Sequence, residues 1–392
     1  MAVFGVIAEY NPFHNGHEYQ LKSIKESGEH AVVVVMSPNV VQRGDFSVFD
    51  KWIRTRAALL SGADLVLEIP SLFALATAER FALGAVSTLD ALGCVEYLCF
   101  GSESGDIEKI KTAAHLADDA NIEANMRKYL SEGMTFAKAR NLAVAGRDAN
   151  AAESLSSPND ILGVEYLRCL SRIGSDIKPF ALLRKGSMHL SHEPTGSFAS
   201  ASYIRENLSV QGLQLYTPAP AAELFKAAFL EGNRSMGIHS LETALLLKLR
   251  TMTAAEIAEL PDVSEGLENR IYRAARECSD FESLCFKIKT KRYTMARIRR
   301  ILMYALLDFS KDKMPDSPPY IRVLGHNQKG LEILSRKTAR LPVITSLAKA
   351  KVLCDEAMFF ADTEEKCSNV FSLTLENKSG GKNEFSTPTI RI

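Results

Sequence analysis

Two histidines three residues apart, His14 and His17, stand where a short apolar run gives way to a helical pattern. In a first helical turn, residues at that spacing share a face, so two imidazoles are presented together. The run before them, Phe4 to Ala8, has the length and composition of a buried parallel strand; Asn11 and Pro12 break it, and a helix starts near His14. A helix N-terminus at the carboxyl end of a strand offers unpaired N–H groups and a positive dipole end to phosphate. Gly16, between the histidines, has no Cβ and lets a ribose or base approach the backbone. The stretch from Phe4 to Gln20 therefore suits a nucleotide whose phosphates lie against two imidazoles. Zinc is not expected, because the His-Glu-x-x-His helix is absent and no third ligand stands nearby.

Further along, other polar groups fall at similar places. The loop after the second apolar run carries Asn39, Gln42, Arg43, Asp45 and Lys51, which could face the same cleft. Ser157, Pro158 and Asp160 read as a helix start with a capping-box variant, and Asn159 is the one residue there that capping does not require. Arg184 and Lys185 end another strand-like run, followed by a loop with His189, His192 and Gly196. Ser200, Ser202 and Arg205 place hydroxyls at a helix start with a cation one turn on, an arrangement that grips phosphate and that also serves as an ordinary cap. Near the end of a stretch without strand alternation, Ala221 to Phe309, comes a basic cluster, Lys287, Lys289, Lys291, Arg292, Arg297, Arg299 and Arg300, with no acid between Phe286 and Leu307. The segment before it is acidic, so positive charge is segregated, as in an RNA-binding face. If Thr294 opens a helix, Ile298, Ile301, Leu302, Ala305 and Leu306 form its buried stripe and the three arginines point elsewhere.

The elements that must position these groups alternate. Strands are expected at Phe4–Ala8, Ala31–Met36, Leu65–Ile69, Tyr97–Phe100 and Ile177–Leu183, with helices between, including one from Lys51 to Ser61 and one from Thr77 to Leu92. That alternation predicts an α/β fold, a doubly wound parallel sheet, followed by a mainly helical C-terminal region. Pro218 and Pro220 mark one boundary and Met314 to Pro319 another. The expected division is a nucleotide-binding Rossmann-like domain over 1–216, a helical RNA-binding region over 217–316, and a small α/β region over 317–392. Lys plus Arg equals Asp plus Glu, 47 each, so overall charge predicts no partner and any nucleic-acid surface must be local. Seven Cys without CxxC pairs, and no apolar run of membrane-spanning length, predict a cytoplasmic protein with reduced thiols.

With these motifs in view, the chain resembles the bacterial tRNA(Met) cytidine acetate ligase family over essentially its whole length, including QRGDFSVFDKW, FGSESGD, KTKRYTMARIRRIL and YIRVLGHNQKG. The resemblance implies a first domain like those of nucleotidyltransferases and class I aminoacyl-tRNA synthetases. It also implies ATP-dependent acetylation of N4 of the wobble cytidine of elongator tRNA(Met), through acetyladenylate, with release of AMP and pyrophosphate. Carried over by position, the ATP site would take in Ile7, Ala8, Glu9, Tyr10, Asn11, Pro12, Phe13, His14, Asn15, Gly16, His17, Glu18, Tyr19 and Gln20, with Gly101, Asn159 and Arg184. Ser200, Ser202 and Arg205 match the second synthetase signature. His14 and His17 would act on the phosphates, Asp45 and Lys51 would organise acetyl transfer, and the basic cluster would hold the tRNA. ATP and acetate are the implied small substrates, with Mg²⁺ bridging phosphate oxygens; neither a membrane nor a protein partner is implied. Two rival readings share part of this pattern: an adenylyltransferase acting on a small metabolite, and a non-catalytic RNA-binding protein.

Overall fold

The computed structural model describes residues 1–185, 194–378, 380–381 and 384–392; the loop histidines His189 and His192 lie outside the described residues. Ten strands occur among them: β1 (Val3–Ala8), β2 (Ala31–Met36), β3 (Val40–Val41), β4 (Asp45–Phe46), β5 (Leu65–Glu68), β6 (Tyr97–Ser102), β7 (Lys178–Leu183), β8 (Ile321–His326), β9 (Val343–Ile344) and β10 (Ile390–Arg391). Eight of them form one sheet in the order β10-β8-β5-β2-β1-β6-β7, with β9 paired beside β8. The pairs from β5 through β7 are all parallel, while β8 runs antiparallel to β5. Both faces are covered, as a parallel sheet requires. Val3, Val33, Val35 and Leu65 pack into one apolar cluster, and their alternates Phe4, Val6, Val32, Val34 and Val66 into the other.

Strand order reverses at β1, which has β2 on one side and β6 on the other. In doubly wound sheets the crevice at that reversal, beyond the carboxyl ends of the strands, is where ligands bind. The helix α1 (Asn15–Glu26) follows β1, and α2 (Lys51–Leu60) leads to β5. The polar loop between β2 and α2 contains the small hairpin of β3 and β4, which its sequence did not announce. Residues 219–307 are helical among the described elements, apart from turns, as their composition predicts.

The region 317–392, read from sequence as a small unit of its own, hydrogen-bonds into the main sheet through β8. What binds it there is charge as well as backbone. Lys51 Nζ lies 2.5 Å from Glu68 Oε1 and 2.8 Å from Glu384 Oε2, while Arg322 reaches Glu68 Oε2 at 2.8 Å and Glu384 Oε2 at 2.9 Å. All four side chains are buried, Lys51 with 0% of its surface exposed. Burial and Arg322 pull the Lys51 pKa down, but Glu384, Glu68 and Glu364 together carry it above the ordinary lysine value. Lys51 is therefore a fixed cation of the core. It does not stand in the cleft where it would organise acetyl transfer, because two carboxylates hold its ammonium at the junction of β5, β8 and the C-terminal tail.

Removing one member of such a buried set leaves an uncompensated charge, a loss of about 3–5 kcal/mol. Lys51→Met is expected to lower the urea midpoint of unfolding by a corresponding amount. Lys51→Met combined with Glu384→Gln, which leaves the Arg322–Glu68 pair intact, is expected to recover much of it; equal loss in the single and double variants would contradict this account.

Candidate functional site

A cavity of about 500 Å³ opens beyond the carboxyl ends of β1, β6 and β7, lined by Ile7, Ala8, Phe100, Gly101, Leu182 and Leu183 from those strands. Around this floor stand the side chains that carry charge or hydrogen bonds: Glu9, His14, His17, Gln20, Asn159, Arg184, Ser202 and Arg205. The location follows from the topology, since β1 is the strand at which the sheet order reverses.

The histidine pair is locked by the backbone it caps. His14 is the N-cap of α1, and its Nδ1 accepts the Gly16 N–H at 3.0 Å; His17 Nδ1 in turn accepts the His14 N–H at 3.2 Å. This is the reciprocal geometry of a capping box with two imidazoles in place of Ser and Glu. The rings stack with centroids 3.6 Å apart. With both Nδ1 atoms accepting, each neutral ring carries its proton on Nε2 and offers an N–H donor there. Gly16 is required for a different reason from the one its sequence context gives: a Cβ there would fall 2.9 Å from His14 Cε1, so the missing side chain makes room for the folded-back imidazole.

Burial, then the nearby Arg184 and Arg205 charges, push the His14 pKa down to about 3. Burial, then His14 and Arg184, hold His17 well below its ordinary value. Both rings are thus neutral donors at physiological pH. Arg184 Nη1 donates to Asn159 Oδ1 at 3.1 Å, and Asn159 Nδ2 donates to Glu103 Oε1 at 2.5 Å. Glu103 also accepts the N–H groups of Asn159 and Asp160 at 3.3 and 3.1 Å. Glu103 from the β6 loop therefore caps the helix Pro158–Arg172, and Ser157 makes no side-chain cap to it. Asp160 turns back to accept from Glu103 N and Ser104 N. The FGSE and Pro-Asn-Asp motifs are two halves of one hydrogen-bonded joint.

Arg205 Nη1 donates to Asn11 O at 2.7 Å and its Nη2 to Ser202 Oγ at 3.0 Å, so the short helix Ala201–Glu206 is fastened to the turn after β1. Ser200 is the N-cap of that helix, accepting the Tyr203 N–H at 3.1 Å. Tyr10, at φ 47°, is buried against Phe13 and His17, and its hydroxyl has no partner among the described residues. Lys185 lies over the Tyr19 ring, 4.4 Å from its centroid. Gln20 Nε2 donates to Cys99 O at 3.1 Å.

Several residues of the expected ATP stretch support the cavity without lining it. Phe13 is core, Pro12 is buried, Asn15 Nδ2 donates to Ser197 O and Leu215 O, and Glu18 pairs with Lys22 at 3.0 Å. Asp45 also stands outside the lining; its Oδ1 accepts the N–H groups of Phe46 at 2.8 Å and Ile238 at 2.9 Å, tying the hairpin to the helical region. That leaves it as a tether, not as an organiser of the reacting groups. Gln42 and Arg43, from the polar loop expected to face the cleft, line the cavity, whereas Phe81, Tyr166 and Lys185 line it without having been singled out for it; the two aromatics carry only the signature of core residues.

The basic cluster divides. Arg300 is 8% exposed and pairs with Asp262 at 3.0 Å, and Arg297 donates to Asp262 O and Ser264 Oγ. Arg299 is half-buried over the Phe281 ring. These three do not form a free face of the helix Met295–Leu307, because the loop at Asp262 holds Arg297 and Arg300 and Arg299 lies against Phe281. Lys287, Lys289, Lys291 and Arg292 are exposed; Lys287 pairs with Glu277, and Arg292 lies 3.9 Å from Glu265. No helix among the described residues is long and apolar enough to cross a membrane, and no group of three His, Cys, Asp or Glu among them could hold a metal ion.

A family model described as HIGH nucleotidyl transferase matches residues 1–384. The tRNA(Met) cytidine acetate ligases of Thermoanaerobacter sp. (strain X514) and of Caldanaerobacter subterraneus subsp. tengcongensis are each 39% identical, with both chains covered in full. Among solved structures, apo TmcAL of Thermotoga maritima superposes with a TM-score of 0.93 at 32% identity, and the same protein bound with alpha-thio ATP with a TM-score of 0.91 at 33%, again over 100% of both chains.

Because the folded protein keeps His14 neutral while the unfolded chain protonates it near pH 6.5, the unfolded state binds more protons in acid. Stability is therefore complete above about pH 6.5 and is lost as pH falls towards 3, at about 1.4 kcal/mol per pH unit for this ring. Urea unfolding between pH 7.5 and 5 is expected to show this loss, and His14→Gln to reduce it, with the part due to His17 remaining. A His14 ring resonance titrating near pH 6.5 in the folded protein would contradict the assignment.

Proposed function

The chain belongs to the tRNA(Met) cytidine acetate ligase family, and on that premise we propose that it activates acetate with ATP and transfers the acetyl group to N4 of the wobble cytidine of elongator tRNA(Met). The observation that carries this reading is the cavity in which two neutral imidazoles and two guanidiniums converge beside the N-terminus of α1. Acetate and ATP are both anions, so activation needs charge stabilisation and alignment more than proton transfer. The acetate oxygen attacks the α-phosphorus, an acetyl–phosphate anhydride bond forms, and the bond to pyrophosphate breaks. Nε2–H groups of His14 and His17, with Arg184 and Arg205, take up charge on the phosphates as pyrophosphate leaves. Asn159 and Glu103 keep Arg184 in place for this step.

Mg²⁺ bound with ATP would supply countercharge for the triphosphate, and no cluster of three acidic, His or Cys groups among the described residues would hold it by protein ligands alone. In the second step the cytidine amine attacks the acetyl carbon and AMP departs. The target base must be turned out of its loop to reach a cavity of this size, as readout of single-stranded RNA requires. We assign the tRNA backbone to the exposed cations Lys287, Lys289, Lys291 and Arg292. Phe286, 80% exposed among them, adds a face on which an unpaired base can stack.

The activity is tested by acetate-dependent exchange of labelled pyrophosphate into ATP, followed by mass analysis of nucleosides from elongator tRNA(Met). Exchange that requires acetate, together with N4-acetylcytidine, is the expected result. Exchange supported only by another acid would replace the substrate, and exchange without nucleoside modification would favour an adenylyltransferase of small metabolites.

Reversing Lys287, Lys289 and Lys291 to Glu is expected to weaken tRNA binding by about tenfold or more at moderate salt while acetate-dependent exchange persists. Unchanged tRNA affinity in a filter-binding titration would remove this face from the interaction.

A further inference from the structure

Glu9 is the one acid among the described residues that line the cavity, against four cationic side chains, Arg43, Arg184, Lys185 and Arg205. A carboxylate in a space for ATP and acetate is unfavourable for both, since each is an anion. It nevertheless sits at the end of the central strand β1, immediately after Ala8, where its backbone is held by the Arg54 guanidinium donating to Glu9 O at 2.6 Å. Its Oε1 accepts the Gln42 N–H at 2.8 Å, and no described residue donates to Oε2. The Glu9 charge is felt by Arg205 and Tyr166, which also line the cavity: after burial, it is the main influence on both groups. The carboxylate is thus positioned by its neighbours on one oxygen and left with the other for a donor.

Of the groups that react here, the acetate carboxylate and the triphosphate are acceptors, and only the cytidine amine offers such a donor; the adenine amine and ribose hydroxyls of ATP lie outside the reacting centre. The exocyclic amine of cytidine carries two N–H bonds, and a carboxylate is the side chain that accepts from N4 of cytosine. The amine is also a weak nucleophile, with its lone pair delocalised into the ring, and it becomes acidic only as the new bond forms. A base within hydrogen-bond reach at that moment assists the attack.

We propose that Glu9 is the catalytic base of the acetyl-transfer step, orienting the cytidine amine through Oε2 and accepting its proton. N4 attacks the acetyl carbonyl carbon and the N–C bond forms. The C–O bond to the adenylate phosphate breaks, with the electron pair leaving on AMP. The N4 proton passes to the Glu9 carboxylate and from there to solvent, so charge and atoms balance without a further reactant. Gln42, through its N–H, is the positioning partner of that carboxylate. The inference rests on the ligase reading given above and adds the identity of the base.

The test compares wild type with Glu9→Gln and Glu9→Asp, full length, with ATP, Mg²⁺, acetate and elongator tRNA(Met). Glutamine still accepts the Gln42 N–H, so the turn is preserved, and a thermal melt verifies this. The readouts are acetate-dependent pyrophosphate exchange and single-turnover formation of N4-acetylcytidine. In Glu9→Gln the ratio of transfer rate to exchange rate is expected to fall about 100-fold or more, with Glu9→Asp falling less. An unchanged ratio with slower exchange, relieved by excess Mg²⁺, would make Glu9 a metal-holding group and overturn the inference. Transfer at the wild-type rate in Glu9→Gln would overturn it too, leaving Glu9 as an anchor for Gln42. Wild-type protein that forms no N4-acetylcytidine would overturn the ligase reading itself, and the inference with it.

Discussion

Four charges without access to water join the start of the chain to its end. Lys51 opens α2, Glu68 ends β5, Arg322 lies on β8 and Glu384 on the C-terminal tail, so Lys51–Glu384 and Arg322–Glu68 each tie the first part of the chain to the last. Two cations and two anions cancel, and Glu364 beside them is pushed up to about 8 by burial and then by the Glu68 charge, which keeps it protonated at neutral pH. Such a set contributes little net stability relative to apolar residues of similar volume. What it does is exclude other arrangements. Strand β8 meets β5 antiparallel, with a register irregularity at Val66 and Leu67, and a slip by one residue would turn Arg322 away from both carboxylates. The C-terminal region is thereby held in one register on the sheet that carries the cavity.

The cavity depends on a second set of fixed polar contacts, each of which uses one side of a group and leaves another side open. Both imidazoles spend Nδ1 on backbone N–H groups, which settles their tautomer and turns Nε2 into a donor. Arg184 leans on Asn159, and Arg205 on Asn11 O and Ser202. These restraints come from three different strand ends and from a helix far along the chain, so their convergence is a property of the sheet order. Preorganised donors of this kind need no rearrangement as charge develops on a phosphate.

The sheet was largely legible in sequence because parallel strands buried on both faces read as continuous apolar runs. Ala31–Met36 matches its predicted bounds, and β1, β5, β6 and β7 match theirs within two residues at either end. Strand β8 escaped because Arg322 and Gly325 interrupt its apolar pattern, and a buried arginine is intelligible only once its carboxylates are in place. The histidine pair and Arg205 could be read from type and spacing, since they sit at helix starts, while Asn159 and Arg184 were placed at the site by the family resemblance. Lys51 could not be separated from the cavity residues by sequence, because a lysine in a polar loop looks the same whether it faces a ligand or a buried glutamate. The arginines of the basic cluster misled for the same reason: Asp262, which covers Arg297 and Arg300, lies more than thirty residues earlier in the chain.

That covering contact links the two halves of the molecule. Gly44, at φ +80°, approaches the helix Met295–Leu307 so closely that a Cβ would fall 2.4 Å from Arg300 N. Arg300 meanwhile pairs with Asp262, and Gln42 N donates to Glu9 on the cavity side of the same turn. The Gln42–Gly44 turn is therefore clamped between the end of β1 and a helix of the region that bears the exposed cations. A shift of that helix would press directly on the turn, since close-packed backbone leaves no slack between them. The exposed residues Lys287, Lys289, Lys291 and Arg292 stand just before that helix in the chain, so the segment that bears them continues directly into the contact with the turn. The arginines fix this joint from the helical side, Arg300 through Asp262 and Arg297 through Asp262 O and Ser264 Oγ.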